Sequence, residues 1–289
     1  MPKRTLLAAT LVLAACGDGG STLAPKPATA EATARLARYA DPATWEDLDA
    51  DRPGRRLRDP RTGIVFRRIP AGEFEMGEPV SPYQYSSPQH TVRLSRDYLL
   101  AETELTVAVW RRFVDEYGGD PNVEVPPGDD RLPMPVSFAD AGAMAQVLSY
   151  RLPTEAEWER ACIGGLERAA EPWQQADAMQ RFAWFHRNSE LQSHPVAGKE
   201  PNAFGLHDML GNLWEWCADG WQPTAYADPE RKSPAIDPVV TTKAPLRVIR
   251  GGSWYSLWPF SPRTRLSAGV DERTAFFGVR FACDAPPIR

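Results

Sequence analysis

Residues 201–216 read PNAFGLHDMLGNLWEW. Gly205 and the Gly211-Asn212 pair mark tight turns, because glycine and asparagine tolerate a left-handed backbone that other residues resist. Asp208 and Glu215 bracket the second turn. Two carboxylates joined by inward-turned carbonyls make a hard-oxygen cage suited to calcium, and close carboxylates are costly without a cation. The same residues also allow a plain capped turn held by hydrogen bonds, with Trp214 and Trp216 as core.

The rest of the chain suits a loop-rich globular protein. Its 289 residues are 43% apolar and 25% charged, enough for one large domain or two small ones. The 28 prolines and 21 glycines favour turns over long helices. Net charge is −5, and no Lys/Arg cluster is dense enough to follow a phosphate backbone, which argues against nucleic acid as a partner. His90, His186, His194 and His207 lack the i, i+4 spacing of a metal-binding helix, and the cysteines form no CxxC pair.

The N-terminus reads as an address. Lys3 and Arg4 precede an apolar run from Leu6 to Ala15, too short to span a bilayer but suited to a signal peptide. It ends in Leu13-Ala14-Ala15-Cys16, which resembles the lipobox of bacterial lipoproteins. That resemblance implies cleavage before Cys16 and a lipid on its thiol, giving a membrane-anchored protein of the bacterial cell envelope, outside the cytoplasm. An ordinary secretory signal cut nearby is the alternative. The expected organisation is a signal peptide at 1–15, a lipid anchor, tether and linker at 16–62, and a globular domain at 63–289.

Within that domain GIVFRRIP, GEFEMG and HTVRLSRDYLLAE alternate as strands. Upstream, residues 31–40 suit a short helix and 41–56 an irregular linker. Thr106 caps a helix whose apolar face is Val109, Trp110, Phe113, Val114 and Tyr117. Ser137 and Asp140 have capping-box spacing, and Thr154 and Glu157 form a second box that points Trp158 and Ala161 inward. Beyond residue 165 only short strands are expected, such as LRVIRGGSW and FFGVRFAC. Two or three helices among short irregular strands give an α+β class.

Four segments go further: RLPTEAEWERAC (151–162), PNAFGLHDMLGNLWEW (201–216), VIRGGSW (248–254) and FGVRFAC (277–283). In this order they resemble the formylglycine-generating enzyme, or sulfatase-modifying factor, family, whose fold is a variant of the C-type lectin fold. The likeness spans residues 63–284. It implies a structural calcium ion held by Asp208 and Glu215 side chains and by the backbone oxygens of Gly211 and Leu213. A second family calcium site needs a longer insertion than NSELQSHPV (188–196), so it is not expected. The resemblance also implies a disulfide from Cys162 to a cysteine near the C-terminus. Cys283 stands two residues beyond the usual place, a step of about 6.6 Å along a strand, which disulfide geometry tolerates poorly. Cys217 is expected to be a buried free thiol.

The stretch RGGSWYSLWPFSPRTRL (250–266) departs from the family. In the oxidising members two cysteines, at the third and eighth positions after the Gly-Gly-Ser serine, bind copper(I). Counted from Ser253, those positions are Ser256 and Ser261. A serine hydroxyl stays protonated and hard near neutral pH, so no copper is expected. Phe276 stands where the oxidising enzymes tend to carry asparagine. A serine nucleophile at either position lacks an evident base. What remains is a candidate groove: Ser253, Trp254, Tyr255, Trp258 and Phe260 as walls, with Arg263 and Arg265 as donors to a carboxylate or amide. The alternative makes these aromatics core and these arginines structural ion-pair partners.

Two functions follow. One is a lipid-anchored, calcium-stabilised binding or scaffold module without redox chemistry, taking a peptide, protein or glycan ligand. The other is an active oxidoreductase of the family working on a protein or small molecule through a non-standard site. A subunit that docks on a true oxidase is a third possibility.

Overall fold

The computed structural model describes residues 29–52, 54–80, 85–119, 123–164, 176–228, 233–257 and 261–287. The expected signal peptide, the lipidation position Cys16, and Trp258 and Phe260 of the candidate groove lie outside the described residues.

Three helices fall where their caps place them: α2 (Val107–Tyr117), α3 (Phe138–Leu148) and α4 (Glu155–Ile163). Thr106 accepts from the Val109 amide, and both capping boxes close, Ser137 with Asp140 and Thr154 with Glu157. All nine residues of α4 are buried, so it is a central pillar rather than an amphipathic surface helix. The upstream helix α1 (Ala30–Arg38) also forms, and a short α5 (Ala176–Met179) precedes the second half.

A five-stranded sheet runs β1 (Glu46–Asp47), β2 (Arg56–Arg58), β3 (Val65–Ile69), β6 (Tyr98–Ala101), β12 (Ala282–Asp284), antiparallel throughout. The second sheet has the order β10 (Arg265–Gly269), β9 (Leu246–Arg250), β7 (Trp214–Gly220), β11 (Phe277–Gly278), and the third β4 (Gly72–Met76), β5 (His90–Leu94), β8 (Ala235–Ile236). HTVRLSRDYLLAE is therefore two strands in two sheets, and FFGVRFAC likewise divides between β11 and β12.

The folded body reaches upstream of residue 63, a correction to the expected linker. β1 and β2 extend the sheet from β3, and Trp45 packs on Phe66 and Tyr150 with ring centroids 5.0 and 6.1 Å apart. Such short, charge-rich strands carry too little period-2 signal to be read in advance; burial of one tryptophan holds them.

Two hydrophobic clusters share the central strands as a wall. Leu99 and Ala101 of β6 face one, Tyr98 and Leu100 the other. Trp216 against Cys217, Ile249 against Val248, and Phe281 and Cys283 against Ala282 repeat the alternation. Successive side chains on a strand point to opposite faces, so a strand buried on both sides feeds both cores.

Candidate functional site

The two motif turns interlock. Asp208, Gly211 and Asn212 have φ of 54°, 80° and 55°, and Gly251 and Gly252 have φ of 96° and 85°. A Cβ on Gly211 would lie 2.1 Å from the Trp184 carbonyl oxygen, so only glycine fits there. The Gly211 amide donates to the Gly251 carbonyl (3.0 Å) and the Trp254 amide to the Asn212 carbonyl (2.8 Å). Asn212, fully buried, ties the assembly together. Its amide donates to the Trp184 carbonyl (2.8 Å), its Oδ1 accepts from the His194 amide (3.0 Å), and its Nδ2 donates to Glu104 Oε2 (2.8 Å). The sequence marked Asn212 only as a turn former and did not mark Glu104; no local motif links residues 108 positions apart.

The expected calcium residues divide. Glu215 is committed to an ion pair: the Arg280 Nε–H is shared between Oε1 (2.9 Å) and Oε2 (2.7 Å), Arg280 Nη2 donates to Oε1 at 2.7 Å, and Trp158 Nε1 donates to Oε2 at 2.6 Å. Three N–H donors thus face its two oxygens, and the charge is already balanced by Arg280. Asp208 fits. Its Oδ2 accepts from the Ala197 amide (2.7 Å), while Oδ1 is buried with no hydrogen-bond partner. Burial raises the Asp208 pKa to about 6, and burial followed by the charges of Asp208 and Glu215 holds Glu104 well above the usual carboxylate range. Gly211 and Leu213 sit on the same turn, and the Leu213 amide donates to Glu104 Oε1 (2.8 Å).

The 250–266 stretch is anchored from beneath. Arg250, at the end of β9, is fully buried and donates to Glu155 and Glu159 of α4 and to the carbonyls of Pro262 (2.7 Å) and Arg263 (3.2 Å). Arg265 is not a groove donor, a correction to the expectation. It is buried, pairs with both Glu155 oxygens at 2.8 Å, and lies over the Trp221 and Tyr226 rings at 4.8 and 4.4 Å. Arg263 is half-buried. It spends its backbone on the turn, the amide donating to Ser261 Oγ (3.1 Å).

The two positions that would need sulfur carry hydroxyls committed to the backbone. Ser256 Oγ accepts from the Ser253 amide (2.9 Å) and Ser261 Oγ from the Arg263 amide. Hard oxygens of this kind do not fit copper(I). His186 comes near Ser256 through its amide, which donates to the Ser256 carbonyl (3.1 Å), while its ring stands against Tyr255 at 6.2 Å. The sequence alone shows no histidine beside this serine. The structure gives the Ser256 hydroxyl the Ser253 amide as partner and no hydrogen bond from the His186 imidazole, so a base-activated nucleophile does not assemble among the described residues.

Above the serines stands an aromatic trio. Trp254 and Phe276 have centroids 4.9 Å apart, Tyr255 and Phe276 5.5 Å, Trp254 and Tyr255 5.6 Å. Ser253 and the Trp254 Nε1–H are spent on the turn and on the Ala275 carbonyl. Tyr255 is 55% exposed and the neighbouring Leu257 73%, so apolar surface faces solvent here.

Cys162, Cys217 and Cys283 are free and buried, which corrects the expected Cys162–Cys283 disulfide. Cys162 packs in one hydrophobic cluster with its Sγ toward the Met209 carbonyl (3.8 Å), and Cys283 faces the other cluster across the sheet. Burial raises both thiol pKa values, and that of Cys217 as well, leaving them inert.

Residues 54–285 match the model of the sulfatase-modifying factor enzyme 1-like domain. The formylglycine-generating enzyme of Streptomyces coelicolor is 31% identical over 82% of this chain and 94% of its own length. The inactive C-alpha-formylglycine-generating enzyme 2 of Mus musculus is 32% identical over 54% of this chain and 51% of its own. Among solved structures, Treponema denticola variable protein 1 superposes with a TM-score of 0.64 at 26% identity, covering 77% of this chain and 95% of that one. The mixed α+β architecture is the C-type-lectin-like one of these proteins.

Proposed function

Because the chain belongs to the sulfatase-modifying factor enzyme 1-like family, we propose that it is a non-oxidising member: a calcium-stabilised binding module of the bacterial cell envelope, held to the membrane through Cys16. The observation that carries this reading is the pair of serines, Ser256 and Ser261, whose hydroxyls accept turn amides where the oxidising relatives hold soft metal. No helix among the described residues is long and apolar enough to cross a membrane.

Calcium would be held by Asp208 with the backbone oxygens of Gly211 and Leu213, and its role is to neutralise and lock the turn that Gly251 and Trp254 dock on. The ligand surface is the exposed edge of the aromatic trio with Leu257, and its ligand class is an extended protein segment. Flat aromatic faces give large contact area at small entropy cost, while Arg265, one of the two arginines expected as donors, is buried against Glu155.

Selection of binders from a random linear-peptide library against the purified chain tests this. Peptides selected on the unaltered chain should lose at least tenfold in affinity against Tyr255→Ala, with the circular dichroism spectrum unchanged. Binding only to a glycan array moves the ligand class to sugars and overturns the peptide assignment. Peptide affinity unaffected by Tyr255→Ala overturns the location.

A further inference from the structure

A cavity of about 740 Å³ lies away from both motif turns, within the range of about 300–1,000 Å³ that small-molecule sites occupy. The turn between β5 and β6, the start of α4, the loop after β8 and the chain leaving β12 build most of it. None of its lining residues belongs to 208–215 or 250–266.

Its walls are fixed. Arg68 pairs with Asp97 (3.3 Å) and donates to the Pro286 carbonyl (2.6 Å), which holds the C-terminal wall. Arg151 forks onto both oxygens of Glu157 (2.6 and 2.7 Å). The base is apolar: Leu94, Tyr98 and Leu152 are buried, and the Tyr98 hydroxyl is spent on the Glu157 carbonyl (2.6 Å).

Charge at the mouth decides the ligand class. Arg96, Asp237 and Asp284 line the cavity and are exposed. The Arg96 guanidinium forms no ion pair among the described residues. The Asp237 carboxylate accepts from the amide and hydroxyl of Ser95, and that of Asp284 from Arg151 Nε (3.2 Å). Both carboxylates therefore keep lone pairs, and Arg96 keeps its N–H donors. Around the whole cavity three arginines face four carboxylates, so a ligand of either charge would meet its own sign as well as the opposite one. A neutral ligand carrying several hydroxyls avoids that repulsion, because each O–H donates to a carboxylate and each oxygen accepts from a guanidinium.

We propose that this cavity binds a short neutral saccharide, its hydroxyls held by Arg96, Asp237 and Asp284 and its C–H face seated on the Tyr98 and Leu152 base. The site is separate from the aromatic edge, so it stands or falls apart from the peptide reading.

Calorimetry and saturation-transfer NMR of the purified chain with cellobiose, maltose and N,N′-diacetylchitobiose test the assignment. Chitobiose serves as the cationic counterpart and cellobionic acid as the anionic one. At least one neutral sugar should bind, and at least fivefold tighter than either charged counterpart. Arg96→Gln and Asp284→Asn, both at exposed positions, should each weaken it at least fivefold with the melting temperature unchanged, while Tyr255→Ala leaves it within twofold. The hexamer of the bound sugar tells the sources apart: binding as tight as the disaccharide's assigns the end of a glycan chain, and exclusion assigns a free sugar. No binding of any neutral sugar at millimolar concentration would overturn the proposal. Tighter binding of a charged counterpart would overturn the ligand class, and affinity unchanged in both mouth variants would overturn the location.

Discussion

Asp219 shows how much one buried carboxylate does in this fold. Its Oδ2 accepts from the Glu155 amide at the start of α4 (2.7 Å), and its Oδ1 from the Val240 amide (2.8 Å), joining the helix to the loop after β8. Burial, followed by the neighbouring Glu155 charge, raises its pKa to about 7. The sign follows from linkage: with a folded pKa above the unfolded one, the folded state binds more protons between about pH 4 and pH 7, so stability falls as pH rises through that window. Asp219→Asn should flatten this slope in urea melts taken from pH 4 to 8; an unchanged slope would assign the pH dependence to other groups. At this scale the sequence is legible where chemistry is local. The serines at 256 and 261 can be read directly, and so can the caps Thr106, Ser137 and Thr154. It is not legible where partners are far apart. Glu104 meets Asn212, and Arg265 meets Glu155, across more than a hundred residues, and no spacing rule announces such pairs.

At the scale of elements, α4 and β9 are joined by charge inside the core. Glu155 and Glu159 lie one turn apart on α4, and Arg250 reaches both while gripping the 262–263 backbone. Its guanidinium also lies 5.2 Å over the Trp158 ring. Removing one partner of a buried pair leaves the other charge stranded, which costs about 3–5 kcal/mol. Arg250→Met should therefore lower unfolding free energy in guanidinium by that amount. The double variant Arg250→Met with Glu159→Leu should recover some of it, because neither charge is then left alone; no recovery would mean that the arginine acts mainly through the 262–263 carbonyls. This network holds the Gly-Gly-Ser turn through protein contacts: Arg250 grips the 262–263 carbonyls and the Gly211 amide donates to the Gly251 carbonyl. The strands β1 and β2 mark the limit of pattern reading, since two- and three-residue charged strands have no periodicity to find.

At the scale of the molecule, the central strands divide the interior into a pair of cores, and that division decides the thiols. Cys162 and Cys283 belong to opposite cores, so a bridge between them would have to pass through a sheet. The fold class and the three principal helices are open to the sequence because capping boxes and the linked motifs act together. The absence of the Cys162–Cys283 bond and the inward turn of Arg265 are not, because Cys283 and Arg265 sit on strands buried on both sides, which give no apolar-polar alternation to show the face each takes. What the fold turns to solvent at the Gly-Gly-Ser turn is the aromatic edge, with Tyr255 and Leu257 exposed. What it lacks is soft metal coordination at Ser256 and Ser261. The most direct measurement incubates the unaltered purified chain with copper(I), dioxygen and a sulfatase peptide carrying the Cys-x-Pro-x-Arg motif, and follows peptide mass and oxygen uptake together. A non-oxidising chain gives no formylglycine and no uptake above the copper-only control; catalytic conversion of the peptide cysteine would contradict that assignment.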